Sequence, residues 1–143
     1  MRDVSLGCGQ INERIMSLLD CSEEEAEAVK LAAKKENISP EEYSEIISAV
    51  TVEWSEEIRR ALDYYYSTDP KDQIQRIILS GGGAHIKGFS ELLASETSAK
   101  VEIINPFGII DIDSKKFEPS YLQLMAPQAA ICMGLALRRV DDK

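Results

Sequence analysis

The sequence predicts an α/β fold carrying an inserted helical lobe. Three observations lead there. Val4 and Leu6 alternate with Asp3 and Ser5, a short strand pattern right at the start. Ile74 to Ser80 holds the continuous run Ile77-Ile78-Leu79, which predicts a strand buried on both faces, as in an α/β sheet. Between these two strands lie three successive helical patterns.

The elements follow in order. Gly7-Cys8-Gly9 turns the chain, and Ile11, Ile15, Leu18 and Leu19 then recur at helical spacing. Ser22 and Glu25 form an S-x-x-E capping box, in which hydroxyl and carboxylate satisfy orphan amides at a helix start. That helix is predicted from Glu23 to about Lys35, with acid at its start and Lys34-Lys35 at its end, as the macrodipole favours. Ser39-Pro40 opens another, with proline at the first helical position where its missing N–H costs nothing. Tyr43, Ile46, Ile47, Val50, Trp54, Ile58, Ala61, Leu62 and Tyr65 recur every three or four residues, which predicts a helix of about 25 residues, ended by Asp69-Pro70. After the Ile74 strand come three glycines and a helix from Phe89 to Thr97. Val101 to Ile104 is a second strand, closed by Asn105-Pro106. Residues 108–124 read as irregular and acidic, and Pro127 as the start of a last helix to about Val140.

Composition narrows the function classes. The 143 residues are 44% apolar and 29% charged, ordinary for a globular chain with a real core. Sixteen basic against twenty-five acidic side chains give a net charge of -9, which argues against a nucleic-acid surface built on clustered Lys and Arg. The acid gathers at Glu23 to Glu27 and Glu41 to Glu57, where solvated helix faces are the simplest explanation. Cys8, Cys21 and Cys132 have no C-x-x-C spacing, and a single histidine cannot complete a zinc site with them. This pattern favours a reducing cytosol, with Cys132 as a small core residue. No stretch approaches the roughly 18 apolar residues of a membrane span.

RIILSGGGAHIKGF, residues 76–89, is the main chemical candidate. In α/β folds ligands gather at the carboxyl ends of strands, where Gly81, Gly82 and Gly83 fall. Without Cβ atoms they either turn the backbone or admit a ligand against it, and three in a row favour the ligand. The P-loop pattern GxxxxGK[ST] is absent. His85, the only histidine, is placed equally well for stacking on a planar ring or for plain surface exposure. Glu27 and Lys30 share a helix face, and taken alone they read as a surface ion pair. Asn105-Pro106-Phe107 reads first as a turn. No nucleophile–base pair or metal-ligand spacing stands out.

An ordered set of segments resembles the C-terminal portion of the PilM family, the actin-like type IV pilus assembly proteins. The set is RDVSLGCGQINERI, AEAVK, WSEEIRRALDYY, IQRIILSGGGAHIKGF, VEIINPFG and APQAAICMGLALRR. The glycine motif alone is shared with the wider actin, FtsA and heat-shock chaperone superfamily. The resemblance implies a ribonuclease-H-like (actin-like) second domain, with a helical lobe over about 23–68 and an adenosine-motif part over about 74–140. It implies that Gly81, Gly82 and Gly83 pack beside the purine and ribose of ATP. His85 then sits where chaperone relatives often place an arginine against adenine, and Glu27 and Lys30 match the helix that reaches ribose and base from the opposite side. Gly7-Cys8-Gly9 departs from the family's paired glycines and is assigned no ligand.

The resemblance also implies what the chain lacks. In the family, two phosphate loops and the aspartates that manage Mg²⁺ and water precede the point where this sequence starts. The fold is thus expected to be truncated at its N-terminal strands, beginning inside the third strand of the domain. Hydrolysis needs a metal-stabilised phosphate and an oriented water, so no ATPase activity is expected. Full-length relatives bind the cytosolic tail of the inner-membrane protein PilN through a groove mainly in the first domain. The implied location is cytoplasmic, held at the inner membrane through partners, and this chain is expected to bind the tail poorly. Strand edges left unpaired at Ile77 to Leu79, or in the Val4 segment, invite self-association. Other readings are an FtsA-like or secretion-system homologue, or a pure interaction module worked by the helical lobe from Tyr43 to Tyr66.

Overall fold

A computed structural model describes residues 6–31, 38–68, 73–113 and 115–138. The chain divides into two compact units, 1–73 and 74–143. The predicted Val4 strand, Lys34-Lys35 and the Asp69-Pro70 stop lie outside the described residues.

The first unit is built on three helices: α1 (Gly9–Leu19), α2 (Glu23–Lys30) and α3 (Pro40–Thr68). The capping box forms as the spacing predicts. Ser22 Oγ accepts from the Glu25 amide at 3.3 Å, and the Glu25 carboxylate accepts from the Ser22 amide at 3.0 Å. A second box, not anticipated from the sequence, opens α3: Ser39 Oγ accepts from the Glu42 amide, and Glu42 accepts from the Ser39 amide. Contrary to expectation, α2 stops at Lys30 and the exposed Leu31 caps it. The Leu31 amide bonds back to the carbonyls of Glu27 and Val29.

Helix α1 packs against both α2 and α3. Ile11 and Ile15 of α1, Ala26 and Val29 of α2, and Val50 and Trp54 of α3 are the buried apolar side chains among this unit's described residues. At 29 residues α3 is about 43 Å long, while the 11 residues of α1 reach about 16 Å. The shorter helix covers only the middle of the longer one. Trp54 is therefore buried, while Tyr64 and Tyr65 near the end of α3 are exposed and do not fill a core.

The second unit holds β1 (Arg76–Leu79), a 3₁₀ turn (Gly82–His85), α4 (Phe89–Thr97), β2 (Lys100–Ile103), a second 3₁₀ turn (Pro106–Ile109), α5 (Pro119–Met125) and α6 (Ala130–Leu137). The strands pair in parallel, Arg76 opposite Lys100 through Leu79 opposite Ile103. The connecting helix α4 packs on β2 and on the glycine turn, as a β–α–β unit requires. Its core is Ala84, Phe89, Leu93, Ala99 and Ala126 with the fully buried Pro127.

Four expectations change here. β1 alternates between exposed and half-buried positions, with Ile78 52% exposed. Burial on both faces needs a layer on each side, and α4 supplies a layer on one. Residues 108–124 contain a helix, α5, which starts with proline at its first position just as α3 does. Pro127 does not open the last helix; it sits in the turn between α5 and α6, whose axes are bent by 92°. Cys132 is exposed, as are Ile131, Leu135 and Leu137 around α6. No single helix among the described residues is long and apolar enough to cross a membrane.

Candidate functional site

β1 ends at Leu79, and the three glycines follow at once. Gly81 has φ 85 and ψ 178, a conformation that essentially only glycine adopts. Its amide donates to the Pro127 carbonyl at 2.8 Å, and the Ser80 hydroxyl donates to the same oxygen at 3.3 Å. One buried carbonyl from the α5–α6 turn thus clamps the strand exit. From there the backbone coils into the 3₁₀ turn, with the Ala84 amide on the Gly81 carbonyl and the Ile86 amide on that of Gly83. Gly88, at φ 83, then turns the chain into α4.

The glycines have different reasons to be there. Gly81 is required by its backbone angles. Gly82 has no positive φ, it is exposed, and a Cβ added to it meets no atom within 4 Å. The unit's own packing therefore gives no reason for glycine at 82. His85 closes the turn with Nε2 2.8 Å from the Leu124 carbonyl. A carbonyl only accepts, so Nε2 carries the proton and donates. The imidazole is exposed and held by one edge, which orients the ring.

Glu27 and Lys30 belong to the first unit. The Lys30 ammonium contacts Glu27 Oε2, as their i,i+3 spacing predicts. Asn12 on α1 donates its Nδ2 to the same oxygen at 2.7 Å. The Lys30 contact first, then the Asn12 bond, hold the Glu27 carboxyl below its ordinary range. The Tyr43 hydroxyl donates to the Lys30 carbonyl at 3.2 Å, tying α3 to the last turn of α2. Lys30 is well covered while the Glu27 side chain is 42% exposed, so the pair presents an anion to its surroundings.

Gly81, Gly82, Gly83 and His85 thus share one turn of the second unit, and Glu27 and Lys30 share one helical turn of the first. Asn105-Pro106-Phe107 behaves as a turn: Asn105 Oδ1 accepts from the Phe107 amide at 3.1 Å. Asn12, Pro127 and Leu124 were missed in the sequence, because their partners lie 15, 47 and 39 residues away. Among the described residues no group of His, Cys, Asp and Glu is placed to hold a metal ion.

Comparison with known proteins agrees with this architecture. A solved chain from a "PilM-PilN type IV pilus biogenesis complex" is similar at a TM-score of 0.80 and 28% identity, over 99% of this chain. The present chain spans 39% of the length of that one. The family model for "Type IV pilus assembly protein PilM" matches residues 1–140. The mixed helical and parallel-strand architecture and this match over nearly the whole sequence place the chain in the PilM family of type IV pilus assembly proteins.

Proposed function

We propose that this chain is the adenosine-binding portion of a type IV pilus assembly scaffold, with an actin-like, ribonuclease-H-type architecture, and that its nucleotide is ATP. The observation that carries the proposal is Gly82. It sits at the carboxyl end of β1, exposed, on a backbone clamped by Pro127, and nothing in the unit's packing requires it to lack a side chain. A purine or ribose lying against the backbone supplies that requirement. His85, its ring oriented by the Leu124 carbonyl, offers a flat face for the base. Glu27 and Lys30 supply an acceptor and a cation suited to ribose hydroxyls and base edges. In the resemblance these residues contact the adenosine part of the nucleotide.

The partner of the full-length protein is a PilN-type tail, by kinship with the solved complex. The nucleotide then sets the shape of a cytoplasmic platform held at the inner membrane through that partner. A second reading, self-association, is favoured by one observation: the described sheet has two strands, leaving an unpaired edge on each. A monomer in light scattering at high protein concentration removes that reading.

Nucleotide binding is tested by amide shift mapping with ATP in the native chain, Gly82→Val and Glu27→Gln. The expected result is a response at Gly81 to His85 and around Glu27, weakened in both variants. Equal ATP responses in native protein and Gly82→Val remove the glycine turn from the site.

A further inference from the structure

Asn12 is a polar residue on an apolar stripe. It lies between the buried Ile11 and Ile15 on the face of α1 that packs into the helical lobe, and is itself 6% exposed. Its Oδ1 is buried with no hydrogen-bond partner. A buried acceptor without a donor opposes folding, and a side chain of similar size without polar atoms would avoid that penalty. The amide is thus a poor choice for packing alone.

What it does is visible at Glu27. Asn12 Nδ2 and Lys30 Nζ both donate to one carboxylate oxygen, Oε2. Two donors from two helices, α1 and α2, converge on that atom. They leave Oε1 with no partner among the described residues. A glutamate on a half-exposed helix position would otherwise sample several rotamers. Pinned through one oxygen, it presents the other in a defined direction.

We infer that Asn12 is a positioning residue, whose buried amide fixes the Glu27 carboxylate so that Oε1 is ready to accept a hydrogen bond from a ligand hydroxyl. The ligand chemistry is that of a sugar hydroxyl donor, and this part rests on the reading of Glu27 as a ribose contact. Binding such a donor then costs little side-chain ordering, because folding has already restricted the carboxylate. Lys30 contributes charge to the same oxygen, and Asn12 contributes direction.

The experiment compares native protein with Asn12→Leu, which keeps the size and removes the donor. Asn12→Ala serves as a second variant should leucine not be accommodated. Carbon-detected NMR follows the Glu27 carboxyl through its acid titration, with the denaturation midpoint measured alongside. ATP and its dideoxy analogue, which lacks both ribose hydroxyls, are then titrated into each protein. Native Glu27 should titrate below the ordinary carboxyl range, and the variants should move its midpoint upward. ATP binding should weaken about tenfold in the variants, as expected for one hydrogen bond to a charged group, while the dideoxy analogue binds all of them alike. A purely structural Asn12 would shift the denaturation midpoint and leave the Glu27 titration where it was, which overturns the inference. If the titration moves but native protein binds ATP and the dideoxy analogue equally, the positioning of Glu27 stands and the ribose reading falls.

Discussion

Replacing each of two adjacent glycines with alanine should have opposite effects on the second unit. At Gly81 the backbone sits at φ 85 and ψ 178, and an added Cβ touches nothing within 4 Å. The penalty is therefore torsional, about 1–3 kcal/mol for a residue held in that region. Relaxing the angles offers no escape. The Gly81 amide would leave the Pro127 carbonyl, a bond of 2.8 Å contributing about 0.5–1.5 kcal/mol. At Gly82 the same alanine meets neither a positive φ nor a neighbour, so it mainly restricts the unfolded chain and stabilises by about 0.4–1 kcal/mol. The two variants should differ by about 1.5–4 kcal/mol. Native-state hydrogen exchange is the suitable assay, because two units need not unfold together. The reporters are the Gly81 amide and those of Lys100 and Ile104, which bond to Gln75 and Leu79 across the strand pair. Exchange at these amides should quicken about tenfold for each 1.4 kcal/mol lost in Gly81→Ala, and slow in Gly82→Ala. Equal effects, or a larger cost at Gly82, would refute the assignment of Gly81 as the conformational glycine.

Three further outcomes are expected. The Glu27 carboxyl is depressed in the folded state, by Lys30 first and Asn12 second. Its stabilising contribution is present above the unfolded-state value and disappears as pH falls through the lowered folded one. Denaturation midpoints measured through the acid range should therefore fall less steeply in Lys30→Met than in native protein. Leu93→Ala, which empties a site with no exposure, should cost about 2–5 kcal/mol. Ile131→Ala, at 74% exposure, should stay within about 0.5 kcal/mol, and a large loss there would show by denaturation that α6 is covered in solution.

Membership of the PilM family also bears on the apolar surface of the second unit. Ile109, Leu124, Ile131 and Leu135 are all more than half exposed, while only a handful of its apolar residues are buried. Monomeric globular proteins seldom leave so much large apolar surface uncovered. The chain spans 39% of the length of its solved relative.

What the sequence determined by itself is local. Ser22 and Glu25 announce α2, Pro40 announces α3, and the Phe89–Thr97 helix and both strands lie where pattern and punctuation put them. These signals act within four residues, so reading them needs no knowledge of what else is nearby. The Glu27–Lys30 contact is of the same kind. The glycine run was legible as a strand-end turn, but not which glycine the backbone needs. That depends on Pro127, whose carbonyl arrives from the distant α5–α6 turn to hold Gly81 and Ser80 together. Burial was the least legible property. Ile77-Ile78-Leu79 and AICMGLAL are apolar enough for two-sided packing, yet Ile78 and Cys132 are exposed, because burial belongs to the neighbours that cover a residue and not to the residue. Asn12 shows the converse: a polar side chain at a core position, whose partner appears only when α1 brings it against Glu27.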